Sequence, residues 1–416
     1  MREWVYCPFI SDCIVVGGGI GGAVLALALG QRGYRVVVFE RELVPQGTAR
    51  PEILAKSTME TFQRLGVADR MLKEAVIPLK KLELFAHGNQ PLFHFGQEEF
   101  LAADSQPYST DPGLTRRILL EAAQAHGSVQ IHRPVEVRDL WIENGFVRGV
   151  HVEQGEEKQT WKSRLVVGDD GGKSHVRAGL GIPLTTRDFV VDFLAAVGPA
   201  LPGHQEGLGQ AYVAPERIRD GLIGGIFMPL PGQRTALVFM ATPAVMERFK
   251  KGSPADFYAA AARLSPRCKG LEKIHRFPEG FGYFRRPFGH ASRYVANGAA
   301  LLGDAAHPVT PAGGQGANMS VADAMALADV ASDAFSKNDC SATALAAYET
   351  NRRQANAHSL SFSSRVDHVI RILHYIPWAS PLLLRYLSSI EHSPKTKQKF
   401  IQAVSRAFLS DRSIPS

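Results

Sequence analysis

Gly17, Gly19 and Gly22 follow the spacing G-x-G-x-x-G, which suits one kind of chemistry: holding a pyrophosphate against bare backbone. Gly17 makes the tight turn, Gly19 lets the backbone approach the phosphates, and Gly22 lets the next helix pack on the strand with its N-terminus facing the negative charge. Glu40 lies about 20 residues further on, where an acid binds a ribose hydroxyl. Two more clusters pair glycine with carboxylate: Asp169-Asp170-Gly171-Gly172 and Gly303-Asp304, the latter leading into Pro311-Ala312-Gly313-Gly314-Gln315-Gly316-Ala317-Asn318. Clustered glycine marks backbone pressed against a partner.

Each cluster needs a strand that ends beneath it. Residues 13–16, 35–39, 165–167 and 299–302 are short apolar runs that read as buried strands, and the first passes through its glycines into the helical run 23–29. Strand, glycine turn, helix, strand is the context a dinucleotide site requires. After Gly316 a long small-residue helix follows, with Val321, Ala324, Met325, Ala328 and Ala331 at helical spacing. Between the clusters lie two insertions with strand character, one around residues 82–95 and one from about Ile182 to His290 that holds the runs 225–232 and 235–240.

The 416 residues allow two or three domains, and 45% hydrophobic with 21% charged residues is ordinary globular usage, which excludes disordered and fibrous chains. A formal charge of +7 is a mild excess and no nucleic-acid signature. Cys7, Cys13, Cys268 and Cys340 form neither a C-x-x-C pair nor a metal-ligand spacing, so the sequence predicts no disulfide framework, no metal, and a reducing cytoplasmic setting. The apolar stretch from Ile370 to Ile390 is interrupted by Arg371, His374, Pro377, Pro381 and Arg385, so no spanning segment is expected.

On these segments, in order over roughly residues 10 to 350, the chain resembles the single-component flavin-dependent aromatic hydroxylases, the family of para-hydroxybenzoate hydroxylase and the ubiquinone-pathway hydroxylases. The resemblance implies an α/β fold with a Rossmann-like, GR2-type FAD-binding domain, discontinuous over 10–72, 106–180 and 291–345. A mostly antiparallel β-sheet substrate domain would be inserted over 73–105 and 181–290, and a C-terminal helical tail would fill 346–416. It assigns FAD contacts to Gly17, Gly19, Gly22, Glu40 and Arg41, to Arg50 and Arg116 (with Arg117 able to take the second role), to Asp170 and Gly171, to Gly303 and Asp304, and to Gly316, Ala317 and Asn318. Pro311, Gly313 and Gly314 would form the loop at the flavin face. Asp169 stands where the family commonly has a small residue, and His307 and His175 read as structural. Phe227, Met228, Phe239 and Pro311 are the candidates for a substrate pocket.

The activity implied is that of an NAD(P)H-consuming monooxygenase. NADH or NADPH reduces FAD, the reduced flavin adds O2 at C4a, and the resulting hydroperoxide gives one oxygen atom to a hydrophobic, aromatic or quinone-like substrate. No proton-transfer residue stands out. Rival readings are an isoprenoid reductase of the geranylgeranyl type, a halogenase, and a non-catalytic FAD-binding protein. The four tryptophans, Trp4, Trp141, Trp161 and Trp378, form no W-x-W-x-I-P segment, which disfavours the halogenase. The tail combines Ile370, Ile372, Leu373, Tyr375, Ile376, Trp378 and residues 382–384 with Lys395, Lys397, Lys399, Arg406 and Arg412. Such a tail can rest on an anionic bilayer or pack against the flavin domain or a second subunit, so a monomer or homodimer is expected.

Overall fold

Apolar runs with no polar face must be buried between two layers, and such strands pair in parallel. The computed structural model describes residues 4–43, 52–155, 157–285, 287–311 and 314–408. In it, Ala299–Leu301, Glu157–Gly168, Val5–Val16, Val36–Phe39 and Val129–His132 lie side by side in that order as the parallel part of an eight-stranded sheet. Register brings their ends to one level: Val16 pairs with both Phe39 and Gly168, and Gly168 pairs with Leu301. The glycine clusters therefore start from one edge, the carboxyl ends of adjacent strands.

Helix Ile20–Gln31 packs against helices Pro112–Gln124 and Gly316–Ser336 and is buried from Ile20 to Gly30, which its alanine- and glycine-rich sequence permits. Glu157–Gly168 also pairs antiparallel with Phe146–Gln154, which pairs with Glu136–Glu143.

The two insertions build one seven-stranded sheet in the order Gly282–Phe284, Asp192–Pro199, Arg234–Ala241, Gly224–Leu230, Leu208–Val213, Lys81–Ala86, Gln90–Phe95. Every pairing is antiparallel except that of Leu208–Val213 with Lys81–Ala86. Alternation along its strands splits the side chains between two apolar layers. Leu194, Tyr212, Phe227, Leu237 and Phe239 pack with Phe249, Phe257 and Leu264 of helices Pro243–Lys251 and Pro254–Leu264 on one face. Met228, Leu230, Ala236, Val197 and Ile226 gather with Leu79 and Ile53 on the other.

Helix Ala342–Tyr375 runs back across the molecule, and helices Ser380–His392 and Pro394–Phe408 then return to the edge strand Gln90–Phe95. Ile390, Phe400 and Ile401 pack there with Phe93, Phe95 and Phe100. Of the basic side chains of this segment, Lys397 is buried and bridges Glu99 at 2.8 Å and Glu391 at 3.5 Å. Leu373 faces the interior, and Ile370, Leu383 and Leu384 are partly buried against core clusters. Arg412 lies outside the described residues, as does the side chain of Arg406. Among the described residues no helix is long and apolar enough to cross a membrane.

Candidate functional site

The turn after Val16 is set by contacts that leave no room for a side chain. Gly17 has φ +103°, and a Cβ there would sit 2.3 Å from the carbonyl oxygen of Asp169. At Gly22 a Cβ would meet the Gly17 carbonyl oxygen at 2.3 Å, so the helix is seated directly on its own entry turn. Gly19 is the N-cap and offers no side-chain acceptor, and the N–H groups of Gly19, Ile20 and Gly21 receive no acceptor from the described residues. Free amides at a helix N-terminus form a site for a phosphate.

Glu40 is buried beside this turn. It accepts from the N–H of Gly18 at 2.7 Å and of Glu42 at 2.8 Å, and it pairs with Arg116 at 3.3 Å. Arg116 also donates to the Gly18 carbonyl at 2.9 Å, so acid and base brace the glycine turn from outside. Arg117 is exposed and pairs with Glu74, which leaves the site to Arg116. Arg41 is exposed, and Arg50 lies outside the described residues.

Asp169 accepts from Gly22 N–H at 2.7 Å and its own N–H donates to Val16, so it ties the second cluster to the first. Burial pushes its carboxyl well above the usual carboxylate range, and Asp170 and Asp304 add to this against the opposing Gly22 N–H and Arg116. Asp170 is turned inward: its Oδ2 caps helix His175–Gly179 through the N–H groups of His175 and Val176 at 2.6 and 3.2 Å. Gly171, at φ +82°, completes the turn. Arg177, which the sequence did not bring forward, ties this segment to the third cluster by donating to the carbonyls of Gly172 and Ala305, both at 2.9 Å.

Under Gly303 and Asp304 lies a charge cluster that sequence reading missed. Asp323, fully buried, accepts from Gly303 N–H at 3.2 Å, Arg352 Nε at 2.8 Å, Asn356 Nδ2 at 3.1 Å, and His307. Burial pushes the Asp323 carboxyl up, but His307 and Arg352 pull it further down, below the usual carboxylate range. Its signal was an acid inside the otherwise small and apolar stretch 321–327 of its helix, since buried carboxylates need partners. His307 is thus a structural partner of this network, which joins the turn to helices Gly316–Ser336 and Ala342–Tyr375.

The last loop is clamped rather than open. Asn318 donates to the carbonyls of Ile53 and Gly314 at 2.9 and 3.2 Å and accepts from Ala55 N–H and Thr58 Oγ1 at 2.8 and 2.7 Å. Its side-chain amide thus holds strand Glu52–Leu54 against the loop. Gly316 opens helix Gly316–Ser336, Ala317 is buried behind it, and Pro311 is half-buried at the loop's entrance; Gly313 lies outside the described residues. Beside the loop, Glu52 has an oxygen, Oε2, that is buried without a hydrogen-bond partner. Burial and the nearby Asp304 push its carboxyl up to about 7, against the pull of Arg116.

Ile53 joins this loop to the second sheet, since Gly314 packs against it and it packs with Met228 and Leu230. Met228 thus faces the flavin loop's side of the sheet. Phe227 and Phe239 do not: one residue out of phase, they point to the opposite face and fill the layer under helices Pro243–Lys251 and Pro254–Leu264. Strand register is not legible in the pattern of residues 225–240, so these neighbours could not be separated there.

A family profile described as an FAD binding domain matches residues 11–363. The chain belongs to this family. It is an FAD-dependent enzyme, and its curated relatives include monooxygenases and hydroxylases. The ubiquinone hydroxylase UbiL of Rhodospirillum rubrum is 28% identical over 87% of this chain and 82% of its own length. The 3-demethoxyubiquinol 3-hydroxylase of Escherichia coli is 27% identical over 83% and 86%. Among solved structures, p-nitrophenol 4-monooxygenase PnpA of Pseudomonas putida shares the fold with a TM-score of 0.77 at 19% identity, over 99% of this chain and all of its own.

The residues present fit FAD. The side-chain-free cradle at Gly17, Gly19 and Gly22 and the free amides opening helix Ile20–Gln31 suit the pyrophosphate of the FAD-binding family, Glu40 stands beside them, and Asp304 borders the next turn. Among the described residues no group of His, Cys, Asp or Glu is arranged to hold a metal ion.

Proposed function

We propose that this enzyme inserts one oxygen atom of O2 into a hydrophobic aromatic or quinone-like substrate, with NADH or NADPH as the electron source. One observation carries the reading: Ile53, which neighbours Gly314 of the loop, also packs against the apolar cluster of Leu79, Met228, Leu230 and Ala236 on that face of the sheet. A dry, apolar wall over a redox cofactor favours transfer of oxygen to an apolar substrate over its loss to water. Bound in this site, FAD supplies electron transfer from the nicotinamide and activation of dioxygen.

The chain's own residues have separate tasks. Gly19, Ile20 and Gly21 present N–H groups to phosphate, Glu40 would accept from a ribose hydroxyl, and Asp304 would accept from the ribityl chain. Asn318 fixes the loop on strand Glu52–Leu54, and the Met228 face excludes water. The names of the curated relatives, which include a ubiquinone hydroxylase and a 3-demethoxyubiquinol 3-hydroxylase, support a quinone-like or phenolic substrate.

The test is a panel of phenols, aminobenzoyl compounds and quinols supplied with NADH or NADPH under labelled dioxygen. The expected product carries one atom of the label. Steady consumption of nicotinamide with peroxide as the sole product of every member would overturn the proposal.

A further inference from the structure

The helical segment that leaves the flavin domain carries an outward face unlike the rest of the surface. Trp378 is 76% exposed, Tyr375 73%, Leu382 59% and Tyr386 54%. Val369, Ile372 and Ile376 on the last turns of helix Ala342–Tyr375 and just beyond it are exposed as well. Positions 365, 369, 372 and 376 follow helical spacing, so Arg365 and three aliphatic side chains share a stripe, which Trp378 of the connecting turn and Leu382 and Tyr386 of the next helix extend. This is a contiguous apolar and aromatic surface, of the kind that marks an interaction site.

Its charges select the occupant. Between residues 365 and 390 the single acidic residue is Asp367. That carboxylate is buried, accepting from Val190 N–H at 2.8 Å and from Arg371 at 2.7 Å. Arg365 and Arg385 are exposed and form no ion pair among the described residues; Lys395 and Lys399 follow on the next helix, also exposed. Close by, Arg219 donates to the carbonyl of His374, and the Arg217–Asp220 pair adds no net charge. Tryptophan and tyrosine beside aliphatic side chains, ringed by cations and without an exposed anion on the stripe itself, match the interface of an anionic bilayer.

We infer that the face from Val369 to Tyr386 docks on an anionic membrane surface. The other side of the same helix makes this placement useful. Leu360 and Leu373 pack inward with Phe193, Met319 and Val309, which stands just before Pro311 of the flavin loop. Docking would set the apolar interior beside the bilayer, where a water-insoluble substrate resides. The inference stands whatever the reaction proves to be.

The test is sedimentation of the FAD-loaded protein with vesicles of phosphatidylcholine, with and without phosphatidylglycerol. Binding is expected with phosphatidylglycerol and should weaken as salt is raised. Arg365→Gln and Arg385→Gln should each weaken it about 5-fold. Substituting Tyr375, Trp378 and Leu382 together by Ser should weaken it about 10-fold or more while FAD content and unfolding temperature stay at the wild-type value. Wild-type protein left in the supernatant with both vesicle compositions would overturn the inference, as would undiminished binding by the triple variant. A dimer that the triple variant converts to monomer, without vesicle binding by either, would assign the face to a second copy of the chain and overturn it equally.

Discussion

The floor of the site and the sheet above it are held by different kinds of contact. On the floor, a Cβ at Gly17 or Gly22 would collide with backbone oxygens, and hydrogen bonds accepted by Asp169 and Asp323 and donated by Arg177 lock successive turns together. In the sheet, the equivalent work falls to interdigitated apolar side chains on two faces. Backbone contact tolerates shifts of tenths of an ångström, whereas an apolar layer tolerates exchange of one side chain for another of similar volume. The first region therefore suits a constant cofactor, and the second a substrate that can change between related enzymes.

The contrast breaks most severely at Asp323. Asp323→Ala removes the shared acceptor of the buried Arg352, of His307, of Asn356 and of the Gly303 amide, and with it a charge-assisted bond to a buried guanidinium. The expected loss is about 3–5 kcal/mol of folding stability, with FAD lost on gel filtration. Denaturant unfolding checks the first and the visible spectrum the second. A near-neutral outcome would mean the floor is held by packing after all.

Gly17→Ala should follow. The new Cβ would overlap the Asp169 carbonyl, and a φ of +103° suits only glycine. Strain and overpacking together predict a loss of about 2–4 kcal/mol and a colourless preparation. If an alanine-bearing protein keeps its FAD and its unfolding midpoint, the turn is more compliant than its contacts imply.

The same contrast governs what the sequence disclosed. The glycine turns were legible because their chemistry is local: spacing, flanking strands and a following acid all lie within about 25 residues. The α/β fold, the mostly antiparallel second sheet and the helical C-terminus followed from runs of apolar residues and the family resemblance. Asp323, Arg177 and Glu52 were not legible, because their partners lie far along the chain: Asp323 with Arg352, Arg177 with Ala305, and Glu52 with Asp304. The clamp made by the Asn318 side chain was not legible either, because its partners Ile53, Ala55 and Thr58 lie more than 250 residues away. Phe227 and Met228 looked alike in sequence and differ only by the parity that strand register imposes.

Glu52 offers a milder probe, at the seam between the two regions. Its carboxyl is raised from 4.5 to about 7 by burial and Asp304, so the folded state holds a proton that the unfolded state releases. The folded protein then binds more protons between pH 4.5 and about 7, and stability must fall as pH rises through that window and level off above it. The gap amounts to at most about 3 kcal/mol. Glu52→Gln should remove most of this slope, making the variant more stable than wild type near pH 8 by about 2 kcal/mol and similar to it near pH 4.5. Parallel urea titrations at the two pH values measure the difference directly, and equal slopes for both proteins would place the ionisation elsewhere.

The smallest effect on stability should carry the largest information about the sheet. Met228→Leu keeps the volume and apolar character of the inner layer and should cost less than about 1.5 kcal/mol. Phe227→Leu, one position away and buried on the outer face among Tyr212 and Phe239, loses more volume and should cost at least as much. Only Met228 shares a layer with Ile53 and hence with the Gly314 loop. If the inner layer is the substrate wall, Met228→Leu should change the ratio of oxygenated product to nicotinamide consumed, while Phe227→Leu lowers the unfolding midpoint and leaves that ratio at its wild-type value. Should the two variants shift the ratio alike, the division of labour between the faces fails, and the sheet acts on the site as a single elastic body rather than through the side chains that touch it.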